Sequence, residues 1–474
     1  MGIWPQKYSK KTLAFFSLSA VLVFLLFKSA FSSYFFQDDW FSLRISQAYS
    51  ITDIFRFFLP VKGVVYYRPL GMQVPFFISQ TLFGFTPLPL RIATFSIHLV
   101  NGWLVYRLLK KIIGSTSFAL ASAFLYATSA TQMIIFYWAA TIAFVLAPFF
   151  YLRSVLNFFD KKEWRSWVWF VAGMLVNELL ITLPAVVTMY ALIKGKLEVK
   201  RTVKFWLTAL VYFVFRLKIV SFSTTGGYTF LTSMHQVVLN LRNYLLWAFN
   251  WPDEITNQFA SFIRLNPEFM RGFLKYVSVW TIESALILLC FVVVPLITVV
   301  KRKILKPELK LLGFGLFWFI VTLSPVLLFS KHFFSYYVPL PLVGLLIFFG
   351  VLWQRIRYTS SHRYATPLLL IICSVWYWAA MNTMQFNTHI HWSVRRANRS
   401  ELLVTKLLNA YPELPNNAVV LIPPKSDEEN RWALGESNAV KLLYDNSTLE
   451  TFFGTRTEYS LAFPDSQQQL FVLP

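Results

Sequence analysis

Asp38-Asp39-Trp40 sets two carboxylates side by side in a chain of 474 residues that holds only 22 acidic side chains. Such a pair can act as general base toward an acceptor hydroxyl or amine, or bind a divalent cation. Crowded together, the two acids push their pKa values apart. The structural account of the same residues is a helix start, with Asp38 capping the helix that begins at Trp40.

Arg68 stands in the run Tyr66-Tyr67-Arg68-Pro69-Leu70. A guanidinium grips phosphate bidentately and neighbouring phenols add hydrogen bonds; Tyr and Arg also anchor chains at a membrane interface with no ligand at all. Lys331-His332-Phe333-Phe334-Ser335-Tyr336-Tyr337 repeats the combination of cations and phenols, with a lysine stretching its head to water as the structural account. Two such clusters point to an anionic ligand with a lipid tail. Glu178 lies in an apolar stretch, where an acid is either functional or the hydrogen-bonded tip of a helix hairpin. Glu283 and Arg216 read as a structural pair. His98, on an apolar helix, reads by itself as a satisfied core histidine. His389 and His391 lack a third ligand for a metal. No phosphate-cradling glycine loop, H-E-x-x-H or nucleophile elbow is present. The energy for any transfer must then come from an activated, lipid-borne substrate.

The elements that position these residues are set by composition. Hydrophobic residues make up 56% and charged residues 14%, against about 25% charged in soluble domains, and the mean hydropathy is +0.53. Many bilayer spans follow. Residues 383–474 carry 8 Lys/Arg and 10 Asp/Glu, a balance of −2, so the remaining chain carries +24 of the total +22. Its cations sit in short loops between apolar runs, which excludes nucleic acid as their partner and assigns them to topology and anionic lipid. Cys290 and Cys373 both lie inside apolar runs and suggest no disulfide framework. The first apolar run, 12–31, is too long for a signal-peptide core and reads as a retained helix.

Lys7, Lys10 and Lys11 place the N-terminus in the cytoplasm. Spans are expected near 88–109, 116–136, 138–158, 203–221, 276–299, 309–329, 336–353 and 365–382, with every turn obeying the positive-inside rule. Residues 164–194 are too few for two crossings and read as two short helices meeting near Asn177-Glu178, with irregular backbone lining a cavity. The expectation is an all-α polytopic protein of the plasma membrane, with about eleven segments in residues 1–382. Outer loops cover 32–87 and 222–275, the first with an interfacial helix over 69–83, and residues 383–474 form a small extracytoplasmic α/β domain. In that tail Glu401–Tyr411 reads as helix and Ala418–Ile422 as strand.

Taken in order, these pieces resemble the multi-spanning C-type glycosyltransferases: the protein O-mannosyltransferases, the Tmtc-type mannosyltransferases and the aminoarabinose transferases. Phe36-Gln37-Asp38-Asp39-Trp40 is similar to their first outer loop, and Tyr67-Arg68-Pro69 to their Tyr-Arg-Pro stretch. Ser96-Ile97-His98-Leu99-Val100-Asn101 is similar to their second span, which makes His98 and Asn101 supporting residues. Asn177-Glu178, followed by Pro184, resembles their Lys-Glu pair before a proline, although Asn177 departs from the usual lysine. Lys331 through Tyr337 is similar to their late outer turn. The likeness covers roughly residues 10–350; the tail matches none of their acceptor-binding domains.

The resemblance implies a hexosyl- or mannosyl-type transferase that moves a sugar from a polyprenyl-phosphate donor to a protein, lipid or glycan acceptor on the outer face. It implies a base at Asp38 or Asp39, with Asp39 slightly favoured, and inversion in one displacement. Arg68, Tyr67, Lys331, His332, Tyr336 and Tyr337 would hold the donor phosphate, with Glu178 in support. No cofactor is required, although a divalent cation at Asp38 and Asp39 is compatible. The competing class is a transporter or lipid flippase, against which stands the lack of an inverted repeat.

Overall fold

The computed structural model describes residues 9–195, 199–220, 228–230, 233–293, 306–359, 362–423, 427–464 and 466–473. Lys7, Gly226, Gly227, the Lys301-Arg302-Lys303 stop, the end of the span expected over 276–299 and Pro424 lie outside them.

The chain is a helical, multi-pass membrane protein. Six helices among the described residues are long and apolar enough to cross a bilayer: Lys10–Ser32, Leu88–Ile113, Ala139–Phe159, Pro267–Phe291, Lys306–Leu327 and Thr366–Ile390. The first contains α1 (Lys10–Phe27), which starts where the Ser9 hydroxyl accepts from Thr12 N–H. The loop after it folds into α2 (Asp38–Ile45), α3 (Ile51–Arg56) and, beyond the wide turn Pro69–Gln73, α4 (Val74–Phe83). Ile78, Leu82 and Phe83 on α4 stay exposed.

The next span, α5 (Leu88–Ile113), packs on α6 (Thr116–Ala127), which is followed by α7 (Met133–Tyr137). The span expected over 116–136 is bent by 42° between these two. A break at depth frees backbone groups that lipid cannot satisfy. Here Asn250 Oδ1 accepts from Ala130 N–H at 2.8 Å, and the Thr128 hydroxyl donates to Phe124 O at 2.7 Å.

The following span contains α8 (Ile142–Phe159) and lies mostly inside the protein. Residues 163–193 form α9 (Glu163–Met174), a tight turn over Glu178–Thr182 and α10 (Leu183–Ile193), two short helices meeting at Asn177-Glu178 as their length demands. The Asn177 side chain accepts from Leu179 N–H at 3.0 Å and so caps the second half. Helix α11 (Val199–Ile219) falls where a span was expected over 203–221, but with Lys204, Arg216 and Lys218 it is not among the six apolar helices. Then come α12 (Met234–Ala248), α13 (Pro267–Leu288), α14 (Lys306–Leu327) and α15 (Pro339–Thr359).

Helix α16 (His362–Ile390) runs through the boundary expected at residue 383 and hands over at His391 to α17 (Trp392–Ala410). The tail adds β1 (Val419–Ile422), α18 (Asp427–Leu434), α19 (Asn438–Leu443), β2 (Glu450–Phe453), α20 (Arg456–Ala462) and β3 (Leu470–Val472). Its sheet is parallel in the order β2-β1-β3. All four residues of β1 are buried, as a central strand covered on both faces must be.

The tail sits on the first loop. Trp40 Nε1 donates to Ser400 Oγ at 3.2 Å and to Ala433 O at 3.1 Å, and Gln37 N–H donates to Ala433 O at 3.4 Å. A Cβ at Gly435, which has φ +56°, would meet Gln37 O at 2.5 Å, so only glycine permits this approach.

Candidate functional site

The tail's grip sets the backbone just before the two acids. Gln37, at φ 54° and ψ −124°, occupies a region that side-chain-bearing residues rarely adopt. It is held there by Ala433 and by Arg396, whose guanidinium donates to Gln37 Oε1 at 2.7 Å. Helix α2 starts from this point, and its first two carboxylates diverge. Asp39 turns into the protein with no exposure; its Oδ1 accepts from Ala140 N–H at 2.6 Å and its Oδ2 from Phe36 N–H at 3.2 Å. Burial pushes its pKa up to about 7 against the pull of Arg91. Asp38 turns instead into a cavity of about 330 Å³. Burial lifts its pKa to about 6, with Arg396 and Arg68 opposing that rise.

Arg68 is in the same cavity. Its Nε donates to Glu178 Oε2 at 2.7 Å, and Tyr67 N–H donates to Glu178 Oε1 at 3.2 Å. The guanidinium lies 5.1 Å from the centre of the Tyr66 ring and 4.9 Å from that of Phe144. The Tyr-Arg-Pro stretch reaches Glu178 through close backbone packing: Leu70 N–H donates to Leu175 O at 3.0 Å. A Cβ on Gly71 would stand 2.1 Å from Val176 O. We expect Gly71→Ala to force these segments apart, lowering the melting temperature and loosening the Arg68–Glu178 pair together.

Arg216 closes the far side, 3.5 Å from Glu178 Oε1 and donating also to Val65 O. It does not pair with Glu283, whose buried carboxylate accepts from Asn250 Nδ2 at 2.7 Å; α11 and α13 present these residues to different neighbours. His332, Tyr336 and Tyr337 line the cavity with Tyr228. The His332 ring stacks on Tyr228 with centroids 4.2 Å apart. Burial and then Arg68 lower its pKa to about 4, so it is neutral at physiological pH and can offer an N–H without a charge. Burial likewise raises the pKa values of Tyr66, Tyr228, Tyr336 and Tyr337, keeping the phenols as hydrogen-bond donors.

Several residues singled out in the sequence sit elsewhere. Lys331 is exposed and absent from the cavity wall: the backbone turn before Ser335 aims His332 inward and leaves the lysine outside. Tyr67 turns its hydroxyl away to Phe58 O at 2.8 Å, and its neighbour Tyr66 lines the cavity instead. His98 is buried against Ala127 O at 2.8 Å, and Asn101 donates to Val145 O at 2.7 Å. Both brace α5 against α6 and α8, away from the cavity. His391 lies 3.6 Å from Asp253 and serves the start of α17.

Among the described residues no three His, Cys, Asp or Glu side chains gather as metal ligands. The cation site considered for Asp38 and Asp39 fits poorly, because both Asp39 oxygens already hold backbone N–H groups and Asp38 faces guanidinium charge. Arg216, Tyr66, Tyr228 and Arg396 were not singled out as site residues. For Arg216 the available signal was a cation in the last turn of α11, at the end that the expected topology keeps away from the cytoplasm.

Around these polar groups the cavity wall is apolar, with Phe213, Phe230 and Phe329. Phe213 on α11 and Phe230 in the segment after it are also exposed at the protein surface. The arrangement offers the Asp38 carboxylate, two guanidinium groups anchored by Glu178 and several phenols beside an apolar slot.

No protein-family model and no curated protein matches the chain. Among solved structures it is similar to ArnT from Cupriavidus metallidurans bound to undecaprenyl phosphate. The identity is 13% and the TM-score 0.50, over 98% of this chain and 90% of that one. The same protein in the apo state aligns at 13% identity and a TM-score of 0.47, over 97% and 89%. The fold of the chain is that of ArnT, and the C-type resemblance read from the motifs is matched at the level of the fold.

Proposed function

We propose that this chain is an integral membrane glycosyltransferase that moves a hexosyl unit from a polyprenyl-phosphate donor to an acceptor at the outer face, with inversion. The observation that carries this reading is the cavity itself. A base with a pKa raised to about 6 shares it with guanidinium groups fixed by Glu178, and one wall is apolar and exposed outward. That one solved neighbour is bound to undecaprenyl phosphate supports the choice of donor. We keep the cytoplasmic N-terminus, the count of about eleven crossings and the outer tail as parts of this proposal.

In this reading the polyprenyl tail lies along the wall of Phe213, Phe230 and Phe329, and the phosphate meets Arg68, Arg216 and the phenols. Asp38 accepts the proton of the acceptor hydroxyl or amine as its heteroatom bonds to the anomeric carbon from the opposite side. The bond from that carbon to the phosphate oxygen breaks, and its electron pair leaves with polyprenyl phosphate. Negative charge grows on the phosphate during this step, and fixed guanidinium groups stabilise it most at that moment. We assign the base to Asp38 in place of Asp39, since both Asp39 oxygens are already engaged. Charge on the leaving phosphate is met by arginine, so chelation with EDTA should leave turnover unchanged; its loss would restore a metal to the scheme.

The pH dependence has a definite sign. Only ionised Asp38 can accept a proton, and its pKa is about 6. We expect kcat/KM to fall about tenfold per unit below that value and to level off above it. Donor affinity should not fall over the same range, because neutral Asp38 leaves the cavity more positive.

The direct test is a panel of polyprenyl-phosphate sugars added to the purified protein. A true donor raises the melting temperature by mass action and yields transferred sugar with an acceptor. Absence of both across the panel overturns the proposal.

A further inference from the structure

A second cavity of about 580 Å³ lies in the half of the helical body away from Asp38, against Leu13–Ala20 of α1. Its wall is apolar, built from residues such as Phe16, Leu99, Phe124 and Phe149, with one charged exception, Arg153. The Arg153 guanidinium lies 5.0 Å from the centre of the Trp169 ring. Arg107 makes the same contact, also at 5.0 Å, with Trp103. Both tryptophans line the cavity.

Arg107 stands six residues before the end of α5 at Ile113, and Arg153 six before the end of α8 at Phe159. Each is therefore about 9 Å inside its helix end. Asn101 donates to Val145 O and Lys111 pairs with Asp160, so α5 and α8 run side by side in the same direction and bring Arg107 and Arg153 to nearby levels. Among the described residues neither is paired with a carboxylate; the nearby acids Asp160 and Glu163 are taken by Lys111 and Arg201. Arg153 Nε, shut off from solvent, has no hydrogen-bond partner.

Two neighbouring cations part-buried among apolar side chains repel each other, and the contacts with tryptophan do not relieve that. A single anion between them does, and it also supplies the missing acceptor. The cavity is open at the lipid-facing side, where Leu13 and Val100 on its rim are exposed. We propose that this cavity binds an anionic glycerophospholipid of the leaflet opposite the Asp38 cavity, with an acyl chain between α1, α5, α6 and α8 and its phosphate between Arg107 and Arg153. A polyprenyl-phosphate donor is a poor occupant. In the reading proposed above its phosphate sits at Arg68, which packs on Phe144, nine residues and about 14 Å along α8 from Arg153.

The test is native mass spectrometry of the delipidated, purified chain offered phosphatidylglycerol, phosphatidylcholine of identical chains, or undecaprenyl phosphate. We expect phosphatidylglycerol to be retained over phosphatidylcholine by roughly tenfold or more, the size that two arginines beside a charged headgroup can supply. Arg107→Gln with Arg153→Gln should erase that preference. Equal retention of the two phospholipids by the wild-type chain overturns the proposal without needing any variant. So does a preference that survives both substitutions, or displacement of phosphatidylglycerol by undecaprenyl phosphate. Undecaprenyl phosphate that fails to bind anywhere counts against the transferase reading and leaves the phospholipid result standing.

Discussion

Asp38→Asn should lower turnover by about 10²–10⁴-fold, the range a positioned general base contributes, while the melting temperature and its rise with donor stay near those of the wild type. The side chain keeps its size and its place in the cavity but can no longer take a proton. Asp39→Ala should behave in the opposite way. It orphans the N–H groups of Ala140 and Phe36 in a site with no exposure. Each unsatisfied buried donor costs about 1–3 kcal/mol, so thermal unfolding should report a loss of roughly 2–6 kcal/mol. Comparing turnover per folded molecule separates the two. If Asp38→Asn turns over normally while a well-folded Asp39→Asn does not, the base is Asp39 and the mechanism above is wrong.

Arg68→Ala should abolish the stabilisation by polyprenyl phosphate and also weaken the fold. Its Nε contact with Glu178 is 2.7 Å, with both side chains largely buried at 15% and 20% exposure. Removing one partner of a buried pair costs about 3–5 kcal/mol, because the remaining charge is left uncompensated. Here Arg216, 3.5 Å from the same carboxylate, should hold the loss at the lower end of that range. Arg68→Lys keeps a charge for Glu178 but loses the planar fork that grips a phosphate. It should recover most of the stability and little of the donor binding. The readout is the melting temperature of each variant with and without undecaprenyl phosphate. A wild-type-sized shift in Arg68→Ala would remove this arginine from the phosphate site.

The two variants bear on different parts of the same cavity. Gln37 and Gly435 couple the tail to the helix start that aims Asp38, whereas Gly71 and Leu70 couple the Tyr-Arg-Pro stretch to Glu178. A change in the tail near Ala433 should therefore alter turnover before it alters donor binding, and a change at Gly71 should alter both.

Much was legible in the residues before any coordinate. The scarcity of charge required helices in lipid, and the short interval 164–194 required a broken pair meeting at Asn177-Glu178, because a crossing has a minimum length. The parallel arrangement of the tail's strands was not legible, and neither was which neighbour of each adjacent pair faces the cavity. Successive residues on a helix point about 100° apart. Asp38 is selected over Asp39 only because Ala140 N–H, 101 positions away in sequence, captures Asp39. Tyr66 is selected over Tyr67 because Phe58 O takes the Tyr67 hydroxyl. Arg216 joins Glu178 because α11 comes to lie beside the broken pair. Residue type and order show which polar side chains the chain carries and on which stretches. Rotation about each helix and the meeting of distant stretches were settled by packing, since those contacts exist only once the chain has folded.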